Sequence, residues 1–421
     1  MFMFSRAWVR GGWLAGVLSA ALLPTHADDL LTLGETVRLA THEQPLLEAQ
    51  TAAADAARER AVAAGQLPDP RLKAFVQNLP ANATGAWRFN RDFMTMTGVG
   101  LMQELPLPGK RRLRAENERI DARLDETLRA ELARRAARDA GLAWVEVWSA
   151  QRAQALLAEQ VQQGRDQAQA AAIAYRNGRG GQAEVLAARV AAERLADRRE
   201  AEAQKLAAAR ADLSRWIGAA AQRPLPDALP ALPDPPPLDT LLAQLPQHPA
   251  LLAAARAVER ADNGVALARQ NYWPDLDFEL DYAYRQDYSE MVSASVGIGL
   301  PFFTRNRQDR ELAAARREVD AAQDQRDDLL RQLAAQTRAD YAQWQRAAAR
   351  LARYDRSILP QAEARSAAAL ADYRAGNGTL GAVLEARIAA LDAALERLQL
   401  AAEVARLRLS LRYFESQEPK P

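Results

Sequence analysis

The chain has 421 residues, and 55 Lys and Arg side chains against 54 Asp and Glu leave a formal net charge of +1. This balance gives no electrostatic reason to expect nucleic acid as a partner. The chain contains no cysteine, which excludes disulfides, thiolate metal sites and thiol nucleophiles. Its three histidines, His26, His42 and His248, do not have metal-ligand spacing, so we expect neither a histidine zinc site nor a bound cofactor.

The N-terminal residues have the features of a secretory signal. Arg6 and Arg10 precede the apolar segment 13–23, and residues 25–27 offer a cleavage site that ends in a small side chain. The apolar segment is shorter than a membrane-spanning helix requires. We therefore expect a signal peptide at 1–27 and a mature chain outside the cytoplasm, with a retained membrane anchor as the alternative.

A proline-rich segment divides the mature chain into two halves that resemble each other. Seven of the 21 prolines lie in residues 224–237, which favours extended polyproline geometry over helix or central strand. Each half contains a helix, a β-like pair, a long helical segment and a returning helix, and the repetition of order and spacing indicates duplication. We predict a first repeat at 28–223, a proline-rich linker at 224–240 and a second repeat at 241–416.

Each repeat contains a helical segment far longer than the helices of globular proteins. The residues between Pro108 and Pro224 include no proline and are rich in strong helix formers. The 69 residues of 109–177 would span roughly 100 Å as one helix. Helical hairpins are predicted at about 109–218 and about 304–414, with glycine-rich turns at their tips. Apolar side chains recur at steps of three, four and seven, which predicts coiled-coil packing.

Four segments alternate with a period of two, which predicts β-strands in pairs at about 71–105 and about 275–301. In residues 275–285 the charged side chains alternate with Leu, Phe and Tyr, so one face is charged and the other apolar. Their length of about ten residues suits a tilted membrane strand, and a soluble sheet is the alternative. Aromatic residues cluster near the strand ends, as at membrane interfaces: Trp87, Phe89, Phe93, Tyr272, Trp273, Tyr288, Phe302 and Phe303.

Four strands cannot close on themselves in a membrane. An open edge in lipid leaves backbone groups unpaired, at several kcal/mol each. Several chains must therefore contribute strands to one barrel.

This organisation resembles the TolC family of outer-membrane efflux proteins over essentially the whole mature chain. Local motifs resemble its heavy-metal branch, the outer-membrane subunits of cobalt–zinc–cadmium or copper–silver efflux systems; these motifs lie at residues 67–70, 94–100, 103–111 and 300–307. The resemblance implies a mainly α fold with a membrane β-barrel, in which a homotrimer forms a 12-stranded barrel in outer-membrane lipid and an α-helical periplasmic tunnel. It also implies docking to a periplasmic adaptor and a resistance–nodulation–division pump of the inner membrane.

Three alternatives to heavy-metal export remain open. The same fold would also suit drug efflux or type I secretion. A soluble periplasmic coiled-coil scaffold would leave the alternating strands unexplained.

The resemblance further implies that the tips of the helical hairpins form the periplasmic gate and the adaptor contact. In the family, an acid beyond the first turn and a tyrosine of the second repeat hold the entrance shut, and these correspond to Glu184 and Tyr373. The family's basic partner is replaced by Gly378, and Arg179 or Arg374 is a candidate substitute. Solvated turn residues are the alternative interpretation. The full set is Tyr175, Arg176, Asn177, Gly178, Arg179 and Glu184 in the first repeat and Tyr373, Arg374, Gly376, Asn377 and Gly378 in the second.

The charged strand face would line the lumen of the barrel. Three chains would then present a ring of carboxylates, which lowers the barrier for cations, and methionine thioethers there would suit Cu(I). A merely wet barrel interior and ordinary methionine packing are the alternatives. The residues expected in the lumen are Asp275, Asp277, Glu279, Asp281, Met94, Met96 and Met102. No catalytic constellation is recognisable in the sequence, so we do not expect an enzyme.

Overall fold

The computed structural model describes residues 30–42, 44–82, 84, 86–178 and 180–415. The predicted signal peptide and Arg179 lie outside these residues. The first repeat contains α1 (Leu33–His42), α2 (Pro45–Ala64), β1 (Arg71–Gln77), β2 (Met96–Leu105), α3 (Pro108–Arg176) and α4 (Gln182–Ile217). The second contains α5 (Leu238–Gln244), α6 (Pro249–Gln270), β3 (Leu276–Tyr284), β4 (Met291–Ile298), α7 (Gln308–Arg353), α8 (Leu359–Arg374) and α9 (Leu380–Tyr413). The described residues form mainly helices, with long hairpins and four strands, which confirms the predicted mainly α fold with few strands.

The strands form one antiparallel sheet in the order β1-β2-β3-β4. The central pair joins the two repeats, since β2 pairs with β3 in a register that places Leu101 opposite Leu280. Within the sheet, β1 and β4 are the edge strands. In the described part of the chain, no helix has both the length and the apolar character needed to cross a membrane.

The long helices differ between the repeats. Helix α3 runs without interruption for 69 residues, whereas the corresponding helix of the second repeat, expected to be continuous, is divided by a π-helical turn at Tyr354–Ile358. The physical reason is Pro360, which has no N–H to donate and whose ring would clash with a carbonyl one turn earlier in a regular α-helix. The wider turn accommodates the proline, and Nε of Arg356 donates to the Ala352 carbonyl at 3.1 Å.

The largest core lies where α1, α3, α4 and α9 meet, midway along the molecule. Trp144 of α3 is fully buried there, and its indole N–H donates to the carbonyl of Leu31 at 2.8 Å. Leu213 of α4 and Leu409 of α9 pack in the same cluster. This core fixes the first hairpin against the end of the second.

The proline-rich segment is packed against this core along its length. Leu225 is buried in it, and the carbonyl of Pro224 accepts from the backbone N–H of Leu31 at 2.8 Å. Asp227 accepts from Trp148 through its carbonyl at 3.2 Å and from Arg152 through its carboxylate at 2.6 Å. The segment is therefore an extended strap between the repeats. Helix α5 already begins at Leu238, inside the predicted linker.

Candidate functional site

The sheet has one polar face, which all four strands share. The register places Lys73 of β1, Gly100 of β2 and Asp281 of β3 in one row across the sheet. The neighbouring rows of β2 and β3 pair Met102 with Glu279 and Glu104 with Asp277. The alternation seen in each segment thus becomes a continuous charged face, because adjacent antiparallel strands place paired residues on the same side.

Lys73 reaches across the sheet to two carboxylates of β3. Its Nζ contacts the carboxylate of Glu279 and lies 3.1 Å from Oδ1 of Asp281. Gly100 lies between them and makes this reach possible, because a Cβ there would lie 2.5 Å from Cε of Lys73 and would also overlap Oδ1 of Asp281. Glu279 and Asp281, two of the four predicted lumen acids, are therefore partly neutralised by a base of the first repeat.

The remaining acids of the polar face are in different environments. Glu104 pairs with Arg71 at 3.3 Å. Asp277, opposite Glu104 in the register, leans toward Gly297 of β4, where a Cβ would lie 2.7 Å from its Cγ. Among the described residues, no Lys or Arg forms an ion pair with Asp277.

Two of the predicted lumen residues lie outside the strands. Asp275 precedes β3, and its carboxylate accepts from the backbone N–H of Leu107 at 3.3 Å and from Nζ of Lys110 at 2.8 Å. It therefore joins the sheet to the start of α3 and is already neutralised. Met94 lies in a turn before β2, because the carboxylate of Asp92 accepts its backbone N–H at 2.8 Å.

The other two methionines do lie on the polar face. Met96 pairs with Gln77, and Met102 with Arg71 and Glu279. Six residues along one strand place the two thioethers roughly 20 Å apart, so one chain cannot offer both to the same ion. No group of three or more His, Asp or Glu side chains in the described ranges is arranged to hold a metal.

The opposite face of the sheet is apolar, and no layer of the described part of the chain covers it. Leu72 of β1 is 78% exposed and Val292 of β4 is 70% exposed. Other large apolar residues of this face are exposed as well: Val76, Val99, Leu101, Phe278, Leu280, Tyr282, Val296 and Ile298. A soluble protein rarely leaves a contiguous apolar surface of this extent uncovered.

Aromatic side chains lie at both ends of the sheet. Trp87, Phe89, Phe93 and Tyr288 are exposed on the two strand connections at one end, and the rings of Phe93 and Tyr288 meet edge-on at 6.4 Å. Trp273, Phe302 and Phe303 are exposed at the end that joins the helices. Two aromatic belts about an apolar band are typical of strands in a bilayer.

The predicted gate residues lie at the two hairpin tips. The first turn follows Arg176 and contains Asn177 and Gly178, which has a φ of +70°. The second follows Arg374 and contains Gly376, with a φ of +81°, and then Asn377 and Gly378. Because only glycine adopts positive φ readily, Gly178 and Gly376 allow the chain to reverse sharply at the two tips.

The structure does not bring Glu184 and Tyr373 together as a lock. Glu184 caps α4, since its carboxylate accepts the backbone N–H of Gly181 at 3.4 Å. Tyr373 packs on the small apolar cluster of Ala171, Val185, Ala188 and Leu380, which holds the tips of the two hairpins together. Tyr175 is exposed, and no hydrogen bond between Tyr373 and Glu184 occurs in the part of the chain that the structure describes.

Two polar contacts between the hairpins were not predicted from the sequence. With its amide oxygen facing α9, Gln167 accepts from Nε of Arg387 at 3.0 Å, and Arg198 of α4 pairs with Asp392 of α9 at 2.9 Å. Burial, and then the nearby Arg374, lower the pKa of Arg387. Arg387 borders a cavity of about 330 Å³ that Gln167, Tyr373 and Arg374 also line. One sequence feature could have drawn attention to Arg387: the motif Val-Leu-x-Ala-Arg occurs in both repeats and ends at Arg189 and at Arg387.

Comparison with known proteins shows that this chain shares its fold with outer-membrane channels. Residues 242–413 match the family model described as outer membrane efflux protein. The chain is similar in structure to the CmeC outer membrane channel of Campylobacter jejuni, with a TM-score of 0.77 and 15% identity over 92% of this chain and 87% of that one. It is also similar to the outer membrane protein VceC of Vibrio cholerae, with a TM-score of 0.75 and 17% identity over 91% and 95% of the two chains.

A third similar structure is the open state of the MtrE outer membrane channel of Neisseria gonorrhoeae, with a TM-score of 0.71 and 17% identity over 92% and 91% of the two chains. The search of curated proteins found no match. Residues 242–413 therefore match the outer membrane efflux protein family, and the chain has the fold of these channels over about nine tenths of its length.

Proposed function

We propose that the protein is one third of a homotrimeric outer-membrane channel, the passive exit duct of a tripartite efflux system. The observation on which this rests is the sheet, which has one charged face, one uncovered apolar face and two edge strands. Lipid would contact the apolar face and water the charged face.

Hydrogen-bond accounting supports the trimer. The edge strands β1 and β4 have backbone groups that no strand within the described chain satisfies. In a bilayer each such group costs several kcal/mol, so the edges must pair with other copies. Three copies give 12 strands, a number that leaves a barrel open to water inside.

The helices supply the periplasmic part of the duct. The 69 residues of α3 extend roughly 100 Å from the sheet. The hairpin tips at residues 175–178 and 373–378 then form the entrance, where a periplasmic adaptor and a resistance–nodulation–division pump deliver the substrate. The family match agrees with a passive role, because these channels are ducts that catalyse no reaction.

Heavy-metal cations are the proposed substrate class. The motifs at residues 67–70, 94–100, 103–111 and 300–307 favour the metal branch, and acids outnumber bases on the polar face of the strands. Drug efflux and type I secretion by the same duct remain the alternatives, since the pump selects what enters.

The channel is tested by purifying the full-length protein from membranes in detergent. We expect a trimer by mass measurement and ion-conducting steps in planar bilayers. A protein that stays monomeric and dispersed in buffer without detergent would instead be a periplasmic scaffold.

The substrate class is tested separately in a deletion strain, which should become sensitive to heavy-metal salts. Sensitivity to drugs with unchanged metal tolerance would contradict the metal assignment.

A further inference from the structure

We propose that Lys73 and Asp277 set the ion preference of the barrel lumen in opposite directions. Among the residues that the structure describes, Asp277 has the carboxylate of this face that forms no ion pair, and Lys73 limits the negative charge that Glu279 and Asp281 contribute. The inference rests on the proposed function, because the polar face must line the lumen of an open channel.

The position of Lys73 is specified by three strands. Its side chain extends over Gly100, whose missing Cβ leaves the space, and ends against Glu279 and Asp281 of β3. One positive charge is therefore shared by two carboxylates of the second repeat. Removing that charge would leave both carboxylates exposed to the lumen without changing the backbone.

Asp277 is separated from the bases of the face. Its cross-strand partner Glu104 forms an ion pair with Arg71, with 3.3 Å between Oε1 and Nη2. The side chain of Asp277 leans away from that pair, over Gly297. In three copies it would form a ring of unneutralised carboxylates at one level of the barrel.

The charges of the face give the direction of each effect. Two bases, Arg71 and Lys73, lie on it with four acids, Glu104, Asp277, Glu279 and Asp281, for a net charge of −2 per chain. A negative ring attracts cations and repels anions, and salt screens it beyond about 10 Å at 0.1 M. Losing Lys73 should raise cation preference, and losing the charge of Asp277 should lower it.

The experiment measures the reversal potential of single channels under a KCl gradient. We expect Lys73→Met to raise the potassium-to-chloride permeability ratio about twofold and Asp277→Asn to lower it about twofold, with both effects much smaller in 1 M salt. Asp287→Asn is the matched control. It removes the same charge from the turn after β3, where Asp287 has a φ of +64° that asparagine tolerates, and it should leave the ratio nearly unchanged.

A double variant separates charge from damage to the fold. Lys73→Met combined with Glu279→Gln restores the net charge of the face, and its ratio should return toward that of the wild type. Detergent-solubilised trimers of each variant establish assembly. If wild-type protein forms no channels, the proposed function fails. If channels form but the Lys73 and Asp277 variants leave the permeability ratio unchanged or shift it the opposite way, this inference is wrong. The proposed function as an export channel would then still hold.

Discussion

The imidazole of His248 is hydrogen-bonded to the carbonyl of Tyr413 at 3.1 Å, which connects the start of α6 to the end of α9. Nδ1 accepts the backbone N–H of Ala250 at 3.2 Å, so Nε2 carries the proton and donates it to Tyr413. The phenol of Tyr413 donates in turn to Glu131 of α3 at 2.8 Å. Burial of the phenol, and then Glu131, raise the pKa of Tyr413 to about 12. A buried chain of polar groups thus ties the second repeat to the long helix of the first.

Acid should destabilise the protein through His248. The side chain is 1% exposed, and burial, followed by the charge of Arg134, lowers its pKa from 6.5 to about 4. Between these two pH values the unfolded chain therefore binds more protons than the folded chain. The stability that the neutral, buried His248 contributes is complete above pH 6.5 and is lost as the pH falls to about 4. The loss amounts to about 3 kcal/mol per chain.

Unfolding of the detergent-solubilised protein between pH 7 and pH 4 measures this effect. His248→Asn keeps a helix cap but cannot titrate, so its stability should depend less on pH. His42→Gln, at the exposed end of α1, is the control and should retain the wild-type pH dependence. Equal pH slopes for the wild type and His248→Asn would exclude the histidine as the cause.

Adjacent residues of β4 test which face meets lipid. Val292 lies on the apolar face and Ser293 on the polar face, opposite Asp281. In the proposed trimer, Val292→Arg should destabilise the assembly by about 2–4 kcal/mol, as a cation on the lipid face does. Ser293→Arg should assemble normally. Heat resistance of the trimer on gels measures both, and equal loss in the two variants would argue against a lipid-facing apolar side.

Gly98 should tolerate no side chain. A Cβ there would lie 2.6 Å from Cζ of Phe75 and 3.0 Å from the Cα of Ala283, and it would also overlap the backbone carbonyl of Tyr282. Since backbone atoms cannot move aside easily, Gly98→Ala should lower the stability of the proposed trimer by about 1–3 kcal/mol. Gly299→Ala, whose Cβ would meet nothing within 4 Å, is the matched control. Comparable melting of the two variants would refute the close packing at Gly98.

The pair of Arg198 and Asp392 should help hold α4 against α9 between the hairpin tips and the central core. Asp392→Arg places two like charges in contact across α4 and α9, so we expect wider opening and a larger single-channel conductance. Adding Arg198→Asp restores an opposite pair and should return the conductance toward the wild-type value. Because exposed pairs contribute at most about 1 kcal/mol, Asp392→Asn should have only a small effect. Failure of the charge swap to rescue would assign the effect to local damage instead.

Local periodicity was sufficient to predict the four strands and the two long helical hairpins of this protein. The alternation in residues 275–285 predicted a strand with a charged and an apolar face, and the lack of proline after Pro108 predicted the long first hairpin. Both follow from contacts within a few residues, which is why a single segment contains the information. The assignment of individual gate and lumen residues stays a prediction. Asp275 and Met94 lie just before β3 and β2, where Asp275 pairs with Lys110 and Met94 lies in a turn capped by Asp92.

The partners of these residues depend on the tertiary structure. Lys73 and Asp281 are 208 residues apart, and nothing near either of them indicates that β2 joins the repeats and places Gly100 between them. The same holds for Gln167 and Arg387, which meet only because the two hairpins pack at their tips. Periodicity specifies which way a side chain points along its own element. Which charge it meets depends on strand order, register and helix packing, and these are determined by contacts across the whole chain.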